Sequence, residues 1–270
     1  MIPAFGVIGL GRMARALVKP LIDQGEIDPA GLVAVVGSCS SADQLRNELP
    51  AAVRIHASSD AAASAVWTAP VQLLAIKPQQ LESLAGAAPS VVGSPLLISV
   101  LAGVTISRLQ RCFPAHRCVR AVPNTPALVG EGLTALAWGD RIDAEQRSQV
   151  RGLFSGVSEV LELPEEKLDA FLALTSSGPA FLALIAEAMA DGAVASGMPR
   201  DLALHLSSRT MAGTAALLRM RSLHPALLKD MVSSPAGTTI AGIRRLEKDG
   251  VRSALIEAVV AAAERSRDLG

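Results

Sequence analysis

The sequence predicts a doubly wound α/β sheet in its amino-terminal part, followed by an all-α domain. Two patterns support this fold class. In the first half, short apolar runs alternate with amphipathic segments, as parallel βαβ units require. After about Leu163 the strand patterns stop, and helical patterns punctuated by proline and glycine take over. We therefore expect one domain over residues 1–163 and a second, helical domain over residues 164–270.

Six strands are predicted in the first domain, each a short apolar run. They are Phe5–Ile8, Leu32–Val36, Val71–Ile76, Leu96–Val100, Cys118–Val122 and Thr134–Trp138. In the second domain, the segment Phe181–Ser196 is apolar nearly all round, which for a helix indicates burial against another subunit or deep in a bundle. A homodimer is the natural expectation.

Composition narrows the function classes. The 25 basic and 25 acidic residues cancel, which argues against a nucleic-acid partner. The hydrophobic share is 50%, yet no apolar run is expected to span a bilayer, so the apolar excess is expected to fill an interface and not to contact a membrane. The three cysteines and four histidines match no metal-ligand spacing, and no export leader is recognised. We expect a cytoplasmic protein with reduced thiols and no metal.

A glycine-rich turn follows the first predicted strand. The pattern Gly9-x-Gly11-x-x-Ala14 lies between that strand and a helix, which is the context of the dinucleotide-binding fingerprint. The glycines allow a tight turn and a close approach of backbone N–H groups to a pyrophosphate. A purely structural glycine turn is the alternative. The pattern favours a Rossmann-type cofactor site that includes Gly9, Leu10, Gly11, Arg12 and Met13.

The end of the second strand bears on the choice between NADPH and NADH. An NAD enzyme of this class usually has an acidic residue here, but this chain has none until Asp43. The hydroxyls of Ser38 and Ser40, with Arg46, could receive a 2′-phosphate, so NADPH is favoured and NADH stays possible. The alternative is a polar loop that makes no contact with the cofactor.

Three further segments stand at or beyond the carboxyl ends of strands, where open α/β sheets bind ligands. Each of them could also be a structural connection. As cofactor-binding candidates they contribute Ala75, Ile76, Lys77, Pro78, Ala102, Gly103 and Asn124.

The late segment Ser233–Ile240 reads as a loop that opens a helix. Pro235 and Gly237 break regular structure, and the hydroxyls of Thr238 and Thr239 then collect with free backbone N–H groups at the helix start. Such a helix end attracts an anion. On its own, the segment is more simply an ordinary capped helix.

Together these segments resemble the pyrroline-5-carboxylate reductase family over nearly the whole chain. Three carboxy-terminal motifs also carry the resemblance: Ser177–Phe181, Glu187–Ala193, and His224–Asp230 running into Ser234–Gly242. The resemblance implies a Rossmann domain and a helical domain that interlocks with its twin in a homodimer, often within a ring of five dimers. The implied reaction is the NADPH- or NADH-dependent reduction of L-1-pyrroline-5-carboxylate to L-proline.

The resemblance also implies roles for individual residues. The nicotinamide end of the cofactor would lie near Ala75–Pro78 and Ala102-Gly103. The imino acid would bind at the subunit interface, with its carboxylate on backbone N–H groups of the late loop. The hydroxyl of Thr239 would lie near the ring nitrogen, and Thr238 is the second catalytic candidate. The implied substrate-binding residues are Pro179, Ser234, Gly237, Thr238 and Thr239.

Several residues depart from the family pattern, among them Ser176, which stands where the family commonly has a glycine, and Arg209, which stands where it has a glutamine. Ala236 stands where the family commonly has a glycine, and it would add strain if that position requires a positive φ. Ala62 stands where a cofactor-side asparagine is expected. The alternatives to the implied reaction are a reductase of another cyclic imino acid, a β-hydroxyacid dehydrogenase, and a non-catalytic NAD(P)-binding regulatory protein.

Overall fold

The computed structural model describes residue 2 and residues 4–269, and it separates into two compact units. The first unit combines Met1–Ser176 with Ala262–Gly270, and the second is Ser177–Ala261. This contact-based division falls at Ser176, whereas the sequence places a boundary at residue 164. The domain boundary stays a prediction.

The first unit is built on one eight-stranded sheet with the order β3-β2-β1-β4-β5-β6-β7-β8. Neighbouring strands are parallel except for the antiparallel pair β6 and β7. The sheet is therefore mixed but mostly parallel, and the predicted α/β fold is confirmed. The strands are β1 Phe5–Ile8, β2 Leu32–Val36, β3 Arg54–Ala57, β4 Val71–Leu74, β5 Leu96–Ser99, β6 Arg117–Pro123, β7 Gly132–Trp138 and β8 Ser158–Glu162.

Two of these strands, β3 and β8, are absent from the sequence prediction. They are the two edges of the sheet, and each carries polar residues, Arg54 and His56 in one and Glu159 and Glu162 in the other. An edge strand that is half exposed does not form a continuous apolar run, so the pattern that reveals the inner strands is lacking.

Helices cover both faces of the sheet, because successive side chains of a strand point to opposite faces. Within β1, for example, Val7 belongs to one buried apolar cluster and Ile8 to the other. The side chains of Ser38, Thr105 and Asp143 cap helix starts by accepting backbone N–H groups. The helices of this unit are α1 Arg12–Asp23, α2 Cys39–Glu48, α3 Leu81–Ala87, α4 Ile106–Cys112, α5 Ala144–Ser155 and α6 Leu168–Thr175.

The second unit is helical throughout the part of the chain that the structure describes. Helices α7 and α8 pack through small buried residues, Ala190 and Ala203, and the Ser207 hydroxyl donates to the Ala186 carbonyl at 2.7 Å. The helices are α7 Gly178–Ala195, α8 Arg200–Arg221, α9 Pro225–Met231, α10 Thr238–Lys248 and α11 Val251–Leu269. The last turns of α11 are counted with the first unit.

The apolar stretch that includes α7 is longer than the sequence analysis allowed. The helical region Glu165–Ala195 contains an 18-residue window with a mean hydropathy of 1.6, of which only 11% is buried. By length and composition it could cross a membrane, so the expectation that no apolar run reaches this length is wrong. On α7 the side chains of Leu182, Leu184 and Met189 are exposed. An exposed apolar face of this kind is typical of a surface that binds another protein or a membrane.

Candidate active site

The predicted cofactor segments meet at the carboxyl edge of the sheet, between β1 and β4. Chain order reverses at this point, since β1 pairs with β2 on one side and with β4 on the other. The Gly9 N–H donates to the Val35 carbonyl, and the Ala75 N–H donates to the Ile8 carbonyl, each at 2.8 Å. The glycine turn and the Ala75–Pro78 segment are therefore direct neighbours.

Gly9 and Gly11 have different structural reasons to be glycine. Gly9 has a φ of +87°, and a Cβ there would lie 2.6 Å from the Ala75 carbonyl oxygen, so only glycine fits. A Cβ on Gly11 would meet no atom within 4 Å. Gly11 is also the N-cap of α1 and has no side-chain cap, so the first N–H groups of α1 are open to an anion. This open cradle fits a pyrophosphate.

The remaining residues of the glycine turn have distinct exposures. Leu10 is buried in the core and contributes at most its backbone to a ligand. Arg12 is exposed and Met13 is half-buried. Arg12 is thus the residue of this turn with a cationic side chain in solvent.

Serine hydroxyls gather at the end of β2. Ser38 caps α2, and its Oγ lies 3.2 Å from the Ser40 Oγ and 3.0 Å from the Ser41 Oγ. No carboxylate stands at this strand end, as the sequence indicates. The arrangement offers hydroxyls and a helix start where the adenosine ribose of a dinucleotide would lie.

Arg46, which the sequence analysis considered as a possible partner for a 2′-phosphate, has other partners. Its Nη1 donates to the Asp43 carboxylate and its Nη2 to the Ile55 carbonyl, both at 2.6 Å. The guanidinium therefore braces α2 against β3. The hydroxyls of Ser38 and Ser40 therefore remain as the candidate polar contacts for a 2′-phosphate at the end of β2.

The segments after β4 and β5 lie at the same edge of the sheet as the glycine turn. The Lys77 N–H donates to the Gln80 side chain at 3.2 Å, while the Lys77 side chain is exposed. Ala102 is half-buried, and Gly103 is buried with a φ of +74°. Because β4 and β5 pair in parallel, their carboxyl ends bring these two segments to one edge.

Asn124 holds the loop that follows β6. Its Nδ2 donates to the Thr175 carbonyl at 3.1 Å, and its Oδ1 accepts the Leu133 N–H at 2.8 Å. The side chain is 4% exposed. Both ends of the carboxamide are thus used within the first unit, and a contact of Asn124 with a cofactor stays a prediction.

The predicted substrate residues lie in the second unit. Ser234–Gly237 forms a turn in which the Gly237 N–H donates to the Ser234 carbonyl at 3.1 Å. Pro235 is the second residue of the turn, and Ala236, with a φ of +54°, is the third. Proline followed by a positive φ is the pattern of a type II turn. The condition for strain at Ala236 is therefore met.

Helix α10 begins directly after this turn, and it includes both threonines. Gly237 is its N-cap and provides no side-chain cap. Within the described residues, the hydroxyls of Thr238 and Thr239 have no hydrogen-bond partner, and Thr239 is half-buried. An uncapped helix start beside two free hydroxyls suits a carboxylate and a nearby polar atom. Pro179 lies separately, in the first turn of α7.

Two residues that precede or begin this loop support it through hydrogen bonds that the sequence analysis does not predict. His224 caps α9, because its Nδ1 accepts the Ala226 N–H at 3.2 Å. The Ser233 hydroxyl donates to the Lys229 carbonyl at 2.7 Å and closes the other end of α9. A polar residue before the helix-starting Pro225 is a capping signal that could have been recognised.

The fold and the cofactor cradle define an NADP(H)-binding oxidoreductase. A family model described as "NADP oxidoreductase coenzyme F420-dependent" matches residues 4–103, and one described as "Pyrroline-5-carboxylate reductase dimerisation" matches residues 165–269. The chain is 43% identical to the pyrroline-5-carboxylate reductase of Synechocystis sp. over 98% of its own length and 97% of the relative's. It is 37% identical to the Arabidopsis thaliana enzyme, over 98% and 94%. The chain belongs to the pyrroline-5-carboxylate reductase family.

Solved structures agree with this assignment. The pyrroline carboxylate reductase of Plasmodium falciparum with NADP bound has a TM-score of 0.89 at 26% identity and covers 99% of this chain and 98% of its own. The Coxiella burnetii enzyme has a TM-score of 0.81 at 30% identity, over 100% and 99%. The predictions of the family, of an NAD(P)H-dependent reductase of pyrroline-5-carboxylate and of NADP(H) as cofactor are confirmed. The dimerisation match includes α7, which supports a homodimer.

Proposed function

We propose that the loop Ser234–Thr239 binds the imino acid and that Thr239 acts at its ring nitrogen, in an enzyme that reduces L-1-pyrroline-5-carboxylate to L-proline. The main support for this proposal is the start of α10, which has no side-chain cap. Two hydroxyls without hydrogen-bond partners lie there beside backbone N–H groups that have no acceptor within the helix. NADPH, when bound, supplies the hydride that adds to the imine carbon.

The start of α10 recognises the carboxylate of the substrate. The N–H groups of Thr238 and Thr239 are in its first turn and have no acceptor inside the helix. Hydrogen bonds from such groups to a carboxylate are charge-assisted, and the helix dipole adds to them. The turn at Ser234–Gly237 fixes where this helix begins, so it fixes the position of the carboxylate.

The hydroxyl of Thr239 orients the nitrogen. Hydride addition to a protonated imine gives a secondary amine without further proton transfer, so no strong base is needed at this atom. A hydroxyl can accept the N–H of the protonated imine or donate to the neutral nitrogen. Orientation of the imine carbon toward the hydride donor supplies most of the rate enhancement. Thr238 is the second candidate for this role.

The cofactor is held by the first unit. When the cofactor is bound, Gly9 and Gly11 at the start of α1 would hold its pyrophosphate, with Leu10, Arg12 and Met13 in the same turn. Ser38 and Ser40 would hold the ribose, and the other cofactor residues would contact the nicotinamide end. These are Ala75, Ile76, Lys77, Pro78, Ala102, Gly103 and Asn124.

The assembly and the domain division are part of the proposal. The homodimer assembles further as a pentamer of dimers in the cytoplasm, as the resemblance to the family implies. Residues 1–163 form the dinucleotide-binding domain, and residues 164–270 form the helical dimerisation and substrate domain, to which Pro179 also contributes.

Three variants test the role of Thr239. We expect Thr239→Ala to lower kcat by roughly 10- to 100-fold while leaving the dissociation constant of NADPH unchanged, since the hydroxyl acts on the imine. Thr239→Ser keeps the hydroxyl and is the matched control, with an expected loss of less than about fivefold. Full turnover by both Thr239→Ala and the Thr238/Thr239 double alanine variant would show that this loop is not the site.

A further inference from the structure

The turn Ser234–Gly237 contains a backbone conformation that an L-amino acid other than glycine rarely adopts. Ala236 has a φ of +54°. Its Cβ approaches the neighbouring carbonyl oxygen in this left-handed region, whereas glycine avoids the contact. Only one other non-glycine residue of the described chain has a positive φ, namely Ser222 at the end of α8.

Neighbouring residues define the closed form of the turn. The Gly237 N–H donates to the Ser234 carbonyl, and Pro235 restricts the second position. A Cβ on Gly237 would contact the Ser234 side chain, so a larger residue there would require that hydroxyl to rotate away. Pro235 and the hydrogen bond of Gly237 both favour the turn. Ala236 is the residue of the turn whose side chain disfavours the backbone conformation that the turn requires.

We propose that Ala236 is a positioning residue that lowers the affinity for the imino acid by reducing the fraction of molecules with the turn closed. This inference rests on the proposed function. Alanine disfavours the left-handed conformation relative to glycine by roughly five- to thirtyfold. When only part of the population is competent to bind, the apparent dissociation constant rises by the inverse of that fraction. The chain therefore binds its substrate more weakly than the same loop with glycine would.

The effect is confined to the imino acid. Ala236 lies in the second unit, two residues before α10, and it is exposed. The cofactor segments all lie in the first unit. Once substrate is bound the turn is closed in both forms, so the rate of the bound complex is the same.

The test compares Ala236→Gly with Ser222→Gly, which relieves the same kind of strain outside the loop. We expect Ala236→Gly to lower the KM for pyrroline-5-carboxylate by roughly threefold or more. The kcat and the KM for NADPH should change by less than about twofold. Both variants should raise Tm by about 2–4 °C, but Ser222→Gly should leave every kinetic constant unchanged. Ala236→Val, which is harder to place at positive φ, should raise the same KM.

Amide hydrogen exchange gives an independent reading of the turn. In the wild-type chain the Gly237 amide should exchange faster than in Ala236→Gly, and saturating L-proline should remove the difference. An unchanged KM in Ala236→Gly, or an equal fall in Ser222→Gly, would overturn the proposal. Thr239→Ala, assayed in parallel, tests the proposed function separately from the role of Ala236. If Thr239→Ala keeps full turnover, the loop is not the substrate site.

Discussion

Arg120 and Asp169 form a buried ion pair in which the arginine Nη2 donates to the carboxylate Oδ1 at 2.9 Å. The arginine side chain, on β6, is 1% exposed, and that of the aspartate, on α6, is 17% exposed. The Ser266 hydroxyl, near the end of α11, donates to the same Oδ1 at 2.7 Å. One carboxylate oxygen thus joins a strand, a helix and the last turns of another helix.

The first prediction concerns this ion pair. Asp169→Asn removes the charge that compensates Arg120 most closely, and within the described residues the remaining anionic partner is Glu165, at 3.5 Å. We expect the free energy of unfolding to fall by about 3 kcal/mol, because a buried charge without its partner is costly. Urea unfolding of the wild type and the variant measures this. Glu48→Gln is the control: it removes the partner of Arg15 in an exposed ion pair and should have little effect. Equal stability of wild type and Asp169→Asn would contradict the argument.

The second prediction separates the two glycines of the cofactor turn. Gly11→Ala places a methyl group in open space, so the fold should keep its Tm while NADPH binding weakens by tenfold or more, as about 1.4 kcal/mol would give. Gly9→Ala meets the Ala75 carbonyl and a positive φ, so it should destabilise the fold by about 2 kcal/mol. Thermal unfolding without cofactor and fluorescence titration with NADPH measure both effects. If Gly11→Ala is stable and still binds NADPH tightly, the pyrophosphate does not bind at this turn.

The third prediction concerns the choice of cofactor. Ser38→Asp keeps an N-cap for α2 but adds a negative charge beside the proposed 2′-phosphate position, where Arg46 is engaged elsewhere. We expect the KM for NADPH to rise by roughly tenfold or more and the KM for NADH to fall or stay constant. Ser38→Asn, an uncharged cap, should change neither strongly. If Ser38→Asp affects both cofactors equally, Ser38 does not contact the 2′ position.

The fourth prediction concerns His116, a buried residue among Trp67, Phe113 and Gln72. The Gln72 amide nitrogen donates to two carbonyls, so its oxygen accepts from the imidazole Nε2, and Nδ1 has no partner within the described residues. Burial, with a contribution from the positive charge of Arg141, lowers the pKa of His116 from 6.5 to about 4.

Stability should therefore depend on pH in a defined window. As the pH falls from 6.5 toward 4, the unfolded chain takes up a proton at this residue while the folded chain does not, so the free energy of unfolding decreases. His116→Gln retains a donor for Gln72 and removes the titration. The wild type should lose more stability than this variant between pH 6.5 and 4, as urea unfolding at each pH would measure. Parallel pH profiles would assign the acid sensitivity to other groups.

The sequence predicts the inner strands and the cofactor turn because both depend on local patterns. Apolar runs identify β1, β2 and β4–β7, whereas the polar edge strands β3 and β8 give no such signal. The glycine turn is recognisable since only glycine fits the Gly9 position. Arg46 could not be assigned in this way, because its partner Ile55 lies on an unrecognised strand. Pairwise contacts of this kind depend on the fold and not on spacing.

The discontinuous first unit has a consequence for synthesis on the ribosome. Its polypeptide runs to Ser176, leaves for 85 residues as Ser177–Ala261, and returns with Ala262. Asp169 therefore emerges almost a hundred residues before Ser266, its hydrogen-bond donor. During translation of the helical unit, the Asp169 carboxylate therefore lacks the hydrogen bond from the Ser266 hydroxyl. The first unit begins earlier in the chain than the helical unit, but its last residues are synthesised after the helical unit is complete.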